Sequence, residues 1–212
     1  MDFGHFLSLI SSLEHAETGG IHSHLKMIPK ERRILQPDEI LTASPRKAAV
    51  LALFYPDHAE QTHFLLIRRA DYPGTHGSQI SFPGGKFDDL DTDLMYTALR
   101  ETEEEVGVPK NDILIKKALT DTYIPPSNFL VRPFIGVAMQ RPNFILNHEV
   151  EAIVEVRLNE LMDPASVAWK NLNTSYSRQV EVPCYLLGRQ TVWGATAMML
   201  SEIKDLLLLG EL

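Results

Sequence analysis

Residues 82–85 read Phe-Pro-Gly-Gly, and residues 100–107 read Arg-Glu-Thr-Glu-Glu-Glu-Val-Gly. This stretch predicts a glycine turn that leads through an Asp-rich loop to an amphipathic helix. Glu101, Glu104 and Glu105 stand at positions i, i+3 and i+4, so they share one face of that helix. Carboxylate oxygens bind divalent cations well, and such a cation beside a glycine turn favours phosphate chemistry. The alternative is a solvated acidic surface.

Composition limits the classes of protein that the chain fits. Its 212 residues, 44% of them hydrophobic, suffice for one large globular domain. A net charge of −8 argues against nucleic-acid binding, which needs a basic surface. Cys184 is the only cysteine, so no intrachain disulfide can form. No apolar stretch is long enough to cross a membrane, and the first residues lack a basic signal region, so we expect a cytoplasmic protein.

The N-terminal region is predicted to be an addition to the main domain. Phe3, Phe6 and Ile10 recur with helical spacing, which predicts an amphipathic first helix. Residues 18–45 are rich in glycine, proline and polar residues and predict an extended arm, which Met27 and Ile28 would anchor. We therefore expect two parts, the helix and arm at 1–45 and the main domain at 46–212. The first part could pack on its own domain or on a second subunit in a homodimer.

Strands dominate the predicted main domain. A helix is predicted over 92–106 and another over 193–209. Apolar runs bounded by turn residues predict strands at 48–55, 63–68, 78–82, 113–124, 129–139, 150–157 and 179–187. Strands on both sides of a central helix predict an α/β fold, an α/β/α sandwich around a mixed β-sheet with the N-terminal helix and arm added.

The motif resembles the signature box of the Nudix hydrolase family. Residues 100–108 match its second half, with Thr102 at a position that is usually aliphatic. The first half departs from the box, because Asp91 replaces its early glutamate and the loop after Gly85 is one residue longer. This form of the loop resembles the branch of the family that acts on coenzyme A. Further similarity to that branch lies in residues 65–70, 81–85 and 193–197.

One element of that branch is incomplete. Gly74 stands where the branch has an arginine, and Ser78 stands where it has a glycine. The missing guanidinium would weaken contact with an anionic group, since arginine pairs well with phosphate. Arg68, Arg69 and Lys86 are the residues that could replace it.

The resemblance implies a role for each residue of the motif. It implies Mg²⁺ or Mn²⁺ bound by Glu101, Glu104 and Glu105, with Glu103 left on the surface. It makes Glu104, Glu105 and Glu149 the catalytic candidates, with His148 and His76 as other possible bases. The remaining roles are substrate binding by Arg68, Arg69, Gly84 and Gly85, and structural support by Arg100 and Gly107.

Other residues have both a functional and a structural interpretation. Lys47 and Arg132 could bind phosphates or could simply face solvent. The aromatic rings that could stack on adenine, or pack in the core instead, are Tyr72, Tyr123 and Phe129. Asp88 and Asp91 are predicted to brace the loop rather than to bind metal.

The resemblance implies a metal-dependent pyrophosphatase with a small nucleotide substrate and with neither nucleic acid nor a membrane as partner. Coenzyme A or its thioesters would give adenosine 3′,5′-bisphosphate and 4′-phosphopantetheine or its acyl form. The alternatives are ADP-ribose, NADH and dinucleoside polyphosphates. An alternative of another class is a nucleotide-sensing domain without activity. Against that alternative, the chain keeps all three glutamates and shows no separate DNA-binding segment.

Overall fold

The computed structural model describes residues 1–29, 36–70, 79–172 and 179–210. Within these ranges the helices are α1 (Phe3–Ser12), α2 (Gly20–Leu25), α3 (Pro37–Thr42), α4 (Leu94–Val106), α5 (Leu158–Met162) and α6 (Gly194–Leu209). The strands are β1 (Arg46–Pro56), β2 (Thr62–Arg69), β3 (Ile80–Ser81), β4 (Gly84–Lys86), β5 (Ile113–Ala118), β6 (Thr122–Ile124), β7 (Phe129–Ala138), β8 (Val150–Arg157), β9 (Val167–Leu172), β10 (Val180–Leu187) and β11 (Gln190–Trp193). No helix in these ranges combines the length and the apolar character that a membrane span needs.

The main sheet is built around strand β1. Its central path runs β3-β2-β1-β7-β5, while β4, β6 and β8 pair with β1, β7 and β2 respectively. Strands β1 and β7 run parallel, and the other pairs are antiparallel, so the predicted mixed sheet is confirmed. Strands β1 and β2 are antiparallel neighbours, with Phe54 opposite Phe64.

Helices cover both faces of this sheet. Successive side chains of a strand point to opposite faces. Ala49, Leu51 and Leu53 accordingly pack in the cluster that contains Ala98 and Val106 of α4. On the other face Phe54 packs in a larger cluster with residues of α1 and α6, and its ring stacks on Phe6 at a centroid distance of 4.8 Å. The three layers are those of the predicted α/β/α sandwich.

A second sheet lies outside the predicted framework. It has three strands in the order β11-β10-β9. The sequence predicted β10 but missed β9 and β11. Strand β9 carries a weak signal, because Val167 and Trp169 are both exposed and the strand buries no residue fully. Sheet formation there depends on pairing with β10, which a pattern of buried residues in β9 alone cannot predict.

The N-terminal arm differs from its prediction as an extended segment. It contains the short helices α2 and α3. Met27 is buried in the larger core cluster and Ile28 packs against it, so the predicted anchoring is confirmed. The capping box at Gln36 and Glu39, together with Pro37 in the first turn, explains why α3 forms in a polar segment.

Helix α4 follows its prediction closely. Its N-cap is Asp93, whose side chain accepts a hydrogen bond from the Tyr96 backbone N–H, so the helix begins two residues later than predicted. It ends at Gly107, which has a φ of 73° in the left-handed region that favours glycine. Both ends of the helix that carries the acidic side chains are therefore defined by local sequence.

Candidate active site

Glu105 is held by the backbone of strand β4. Its side chain is 1% exposed, and the Gly84 backbone N–H donates a hydrogen bond of 2.8 Å to Glu105 Oε2. Gly84 has a φ of 148°, and a Cβ at this position would lie 2.3 Å from the carbonyl oxygen of Ala49. Only glycine therefore lets this segment pair with β1 and present its N–H to the carboxylate. The predicted tight turn at Gly84 and Gly85 is wrong, because both residues belong to a strand.

Glu101 lies against the next glycine. A Cβ on Gly85 would be 2.5 Å from Glu101 Cδ and 2.6 Å from each carboxylate oxygen. The absence of a side chain at Gly85 thus creates the space in which the Glu101 carboxylate lies. Glu104 differs from these two glutamates, because its side chain is 55% exposed at the outer edge of the cluster.

Two arginines each link a pair of carboxylates. Arg69 Nη1 lies 3.0 Å from Glu105 Oε1, and its Nη2 donates a hydrogen bond of 3.4 Å to Glu149 Oε2. Arg100 Nη1 lies 2.9 Å from Glu101 Oε1 and 3.1 Å from Glu104 Oε2. The predicted metal, base and substrate-binding residues therefore come together in one cluster, which contains Glu101, Glu104, Glu105, Glu149 and Arg69.

Burial and charge shape the acidity of these groups. Burial raises the pKa of Glu105 to about 7, and the charges of Glu101 and Glu149 add to that rise, against the opposing effect of Arg69 and the Gly84 N–H. Burial also raises the pKa of Glu101, although Arg100 opposes the shift. Mutually repelling carboxylates with raised pKa values are a common feature of functional sites.

Arg100 is oriented by Asp91 in the preceding loop. Its Nε and Nη2 donate hydrogen bonds of 2.8 and 3.0 Å to the two oxygens of Asp91. Asp91 Oδ2 also accepts hydrogen bonds from Thr97 Oγ1 at 2.8 Å and from the Asp88 N–H at 3.0 Å. This buried aspartate therefore ties the loop to the helix and sets the position of the guanidinium beside the glutamates.

We expect Asp91→Asn to destabilise the protein in a pH-dependent way. The hydrogen bond from Arg100 lowers the pKa of Asp91 well below its ordinary value, against the effect of burial. The stabilisation that ionised Asp91 contributes is therefore fully present above the pKa that Asp91 has in the unfolded chain. It declines as the pH falls towards the pKa that Asp91 has in the folded protein. The free energy of unfolding should drop by about 2 kcal/mol at pH 7, and the gap from wild type should narrow below about pH 4.

Urea unfolding at pH 7 and at pH 3.5 measures this difference. Asp93→Asn is the matched control, since asparagine caps a helix about as well as aspartate. It should change stability little at either pH. An Asp91→Asn deficit that stays the same at both pH values would contradict the role of the charged pair.

The carboxylate oxygens of Glu101, Glu104 and Glu105 suit a hard divalent cation, although they are not already arranged around one point. Among the described residues no three His, Cys, Asp or Glu groups are arranged to hold a metal ion. Glu104 is drawn outward to Arg100, while Glu105 is held inward by Gly84. Glu105 Oε1 is nevertheless buried; it forms the ion pair with Arg69 at 3.0 Å but accepts no hydrogen bond of good geometry from the described part of the chain. A buried carboxylate oxygen in this state is suited to ligate a cation.

A cavity of about 320 Å³ adjoins this cluster. Arg69, Gly84 and Gly85 line the side nearest the glutamates. Much of the remaining wall is apolar, including Ile80, Phe82, Phe129, Trp193 and Met199. The site therefore combines a charged edge with an apolar chamber, an arrangement typical of ligand pockets.

Several predicted residues lie elsewhere. Arg68 pairs with Glu151 at 3.3 Å on strand β8 and does not line the cavity, in contrast to Arg69. Arg132 makes two hydrogen bonds to Asp121. The Tyr123 hydroxyl donates to Asn128, and Tyr123 does not line the cavity, whereas Phe129 does. The positions that fall outside the described residues are Tyr72, Gly74, His76 and Ser78.

The sequence did not reveal the polar and N-terminal parts of the cavity wall. Ser81 and Ser127 are among its lining residues, and the hydroxyl of each is buried without a hydrogen-bond partner in the described residues. Met27 and Pro29 of the arm also contribute to the wall. No spacing in the sequence connects these residues, because tertiary packing alone brings them together.

Comparisons with known proteins agree with this architecture. A family model described as the NUDIX domain matches residues 45–175. A protein of Yersinia pestis (strain Pestoides F), described as an uncharacterized Nudix hydrolase NudL, is 33% identical over 178 residues, which cover 80% of this chain and 87% of the relative.

Two solved structures that match this chain have low sequence identity to it. One is a MutT protein from Methanosarcina mazei Go1, with a TM-score of 0.49 and 17% identity over 76% of this chain and 94% of that protein. Another is an Ap4A hydrolase of C. elegans in a binary complex, with a TM-score of 0.46 and 23% identity over 55% of this chain and 83% of that protein.

Proposed function

Because this chain belongs to the Nudix hydrolase family, we propose that it uses Mg²⁺ or Mn²⁺ to hydrolyse the pyrophosphate of coenzyme A or its thioesters. The observation that carries the proposal is the position of Glu105. This buried carboxylate accepts a hydrogen bond from the Gly84 N–H and lies beside Arg69, and both Gly84 and Arg69 line the cavity. The same point of the structure thus offers acidic ligands, a cationic group for phosphate and room for the rest of the substrate.

Glu101, Glu104 and Glu105 would hold the divalent cation. When bound, such a cation neutralises charge on the pyrophosphate and lowers the pKa of a coordinated water. The raised pKa values of Glu101 and Glu105 reflect burial and neighbouring negative charge, which a dication would offset. Arg100, held by Asp91, pairs with both Glu101 and Glu104 and so restrains where their carboxylates lie.

Glu149 is our candidate for the general base. It lies within the electrostatic reach of both Glu101 and Glu105, and it is hydrogen-bonded to Arg69. Its side chain is 48% exposed, so water can reach it. In the proposed reaction Glu149 accepts the proton of the attacking water, and Arg69 stabilises negative charge on the phosphoryl oxygens.

The form of the loop and the cavity wall favour coenzyme A as the substrate. Asp91 and the longer loop resemble the branch of the family that acts on coenzyme A. The apolar chamber beside Gly84 and Gly85 suits a long, uncharged chain attached to the pyrophosphate. Among the described residues that line that cavity, the basic ones are Lys86 and Arg69, the second of which also pairs with Glu105 and Glu149.

A substrate panel tests the proposal. We expect kcat/KM with Mg²⁺ or Mn²⁺ to be highest for coenzyme A or a thioester, and about tenfold or more lower for ADP-ribose, NADH and a dinucleoside polyphosphate. Product release should stop when the metal is removed with EDTA and resume when it is restored. Coenzyme A in last place would reject the substrate assignment. Tight nucleotide binding without turnover of any substrate would instead favour the sensor alternative.

The position of attack follows from the labelled product. Turnover in ¹⁸O-labelled water introduces the label into the phosphate whose phosphorus was attacked. We expect the label in adenosine 3′,5′-bisphosphate or in 4′-phosphopantetheine, but not in both. Mass spectrometry of the two products makes the distinction.

A further inference from the structure

The cavity is closed in part by residues outside the matched domain. Residues 45–175 match the family model, yet Met27 and Pro29 precede this range, and Trp193, Thr196 and Met199 follow it. Met27 is 2% exposed and belongs to the core cluster that also contains Met199. The arm therefore forms part of the wall that faces the substrate chamber, and it does so with a side chain whose shape adapts readily.

A buried polar cluster fixes the arm on α6. Glu202 is fully buried, and its Oε2 lies 2.9 Å from His24 Nε2 of the arm. The same carboxylate accepts hydrogen bonds from the N–H and hydroxyl of Thr120, at 3.1 and 2.7 Å to Oε1. Asp205, one turn further along α6, accepts hydrogen bonds from Ser23 and Lys26. A buried carboxylate is costly without its partners, so this cluster specifies one position for the arm.

The buried polar cluster around Glu202 lies next to the cavity wall both on the arm and on α6. Met27 follows His24 by three residues, and Met199 precedes Glu202 by three residues on α6. The His24–Glu202 contact therefore sets how closely Met27 approaches the chamber. A shift of the arm would change the chamber, whereas the three glutamates are carried by α4, which packs on the opposite face of the main sheet.

We propose that Met27 is a specificity-determining residue, which contacts the uncharged part of the substrate, and that His24 and Glu202 are positioning residues that hold it there. The proposal rests on the proposed function for the identity of that substrate, a coenzyme A thioester whose acyl-pantetheine chain occupies the chamber. Ser81 and Ser127 belong to the same wall, and their hydroxyl groups are buried without a hydrogen-bond partner in the described residues.

Steady-state kinetics with acetyl-coenzyme A test the contact. Met27→Ala should raise KM roughly tenfold and leave kcat within about twofold, because the lost contact is made in the ground state and the transition state alike. Met27→Leu, which conserves volume, should restore KM to near the wild-type value. Leu25→Ala is the matched control, since Leu25 lies on the same arm, is 37% exposed and does not line the cavity.

His24→Ala tests the positioning role. It should raise KM as Met27→Ala does, at a temperature well below the melting point of the variant, with kcat again near wild type. A purely structural role for His24 would lower the melting temperature and leave KM unchanged. That result, or equal KM values for Met27→Ala and Leu25→Ala, would overturn the inference.

A binding measurement separates this inference from the proposed reaction. The chain has two tryptophans, of which Trp193 lines the cavity and Trp169 is exposed on β9. In a Trp169→Phe background, acetyl-coenzyme A should quench Trp193 fluorescence without added metal, and Met27→Ala should weaken the apparent affinity about tenfold. Binding of this kind without hydrolysis would refute the reaction and support the inference. Hydrolysis of acetyl-coenzyme A, together with equal affinities for it in the Trp169→Phe protein with and without Met27→Ala, would support the reaction and refute the inference.

Discussion

Glu105→Gln is expected to abolish most of the hydrolytic activity while the fold is retained. The substitution removes the negative charge from the most buried acidic group of the cluster, whose Oε1 accepts no hydrogen bond from the described residues. Glutamine keeps the carbonyl that can accept the hydrogen bond from the Gly84 N–H, so the position of strand β4 should not change. Loss of a central electrostatic group in an active site lowers kcat by roughly a thousandfold.

Product release from coenzyme A with Mg²⁺ measures this effect, and circular dichroism with thermal unfolding checks the fold. Glu103→Gln is the matched control on the same helix. The Glu103 carboxylate pairs with Lys110 on the protein surface, so its loss should leave kcat within about twofold of wild type. Wild-type turnover by Glu105→Gln would remove Glu105 from the site.

Gly85→Ala should lower activity more than it lowers stability. The added Cβ would lie 2.5 Å from Glu101 Cδ, so the carboxylate must leave its position above the strand. Because Glu101 is the end of a flexible side chain, it can move at a small cost in stability. We expect kcat to fall between tenfold and a hundredfold, as it does when a metal ligand loses its orientation, and the free energy of unfolding to change by less than about 1 kcal/mol.

Gly84→Ala should lower stability more than Gly85→Ala does, and it serves as the comparison. Its Cβ would meet backbone atoms, at 2.3 Å from Ala49 O and 2.6 Å from Val50 Cα, and its φ of 148° is strained for alanine. We expect a loss of at least about 2 kcal/mol in unfolding free energy. Urea unfolding and kinetics of both variants distinguish the two glycines. Full activity in Gly85→Ala would show that Glu101 need not lie against this strand.

The sequence alone predicted the mixed sheet, the helix that carries the glutamates and the three-layer arrangement. Local chemistry explains this success. Asp93 and Gly107 mark the two ends of α4, and the apolar residues of β1 alternate between two buried clusters. The spacing of Glu101, Glu104 and Glu105 on one helix follows from helical geometry, so their shared face needed no tertiary information.

Only the tertiary structure decided how these side chains are used. Arg68 and Arg69 are neighbours in sequence, yet Arg69 joins the glutamates while Arg68 pairs with Glu151. Met27 lines the cavity, and the arm that carries it is joined to α6 by the contact of His24 with Glu202, which lies 178 residues later in the chain. The sequence by itself thus determined the family motif and the layers, since both rest on short-range periodicity. Contacts between distant segments depend on packing, and for that reason the cavity wall was decided by the fold.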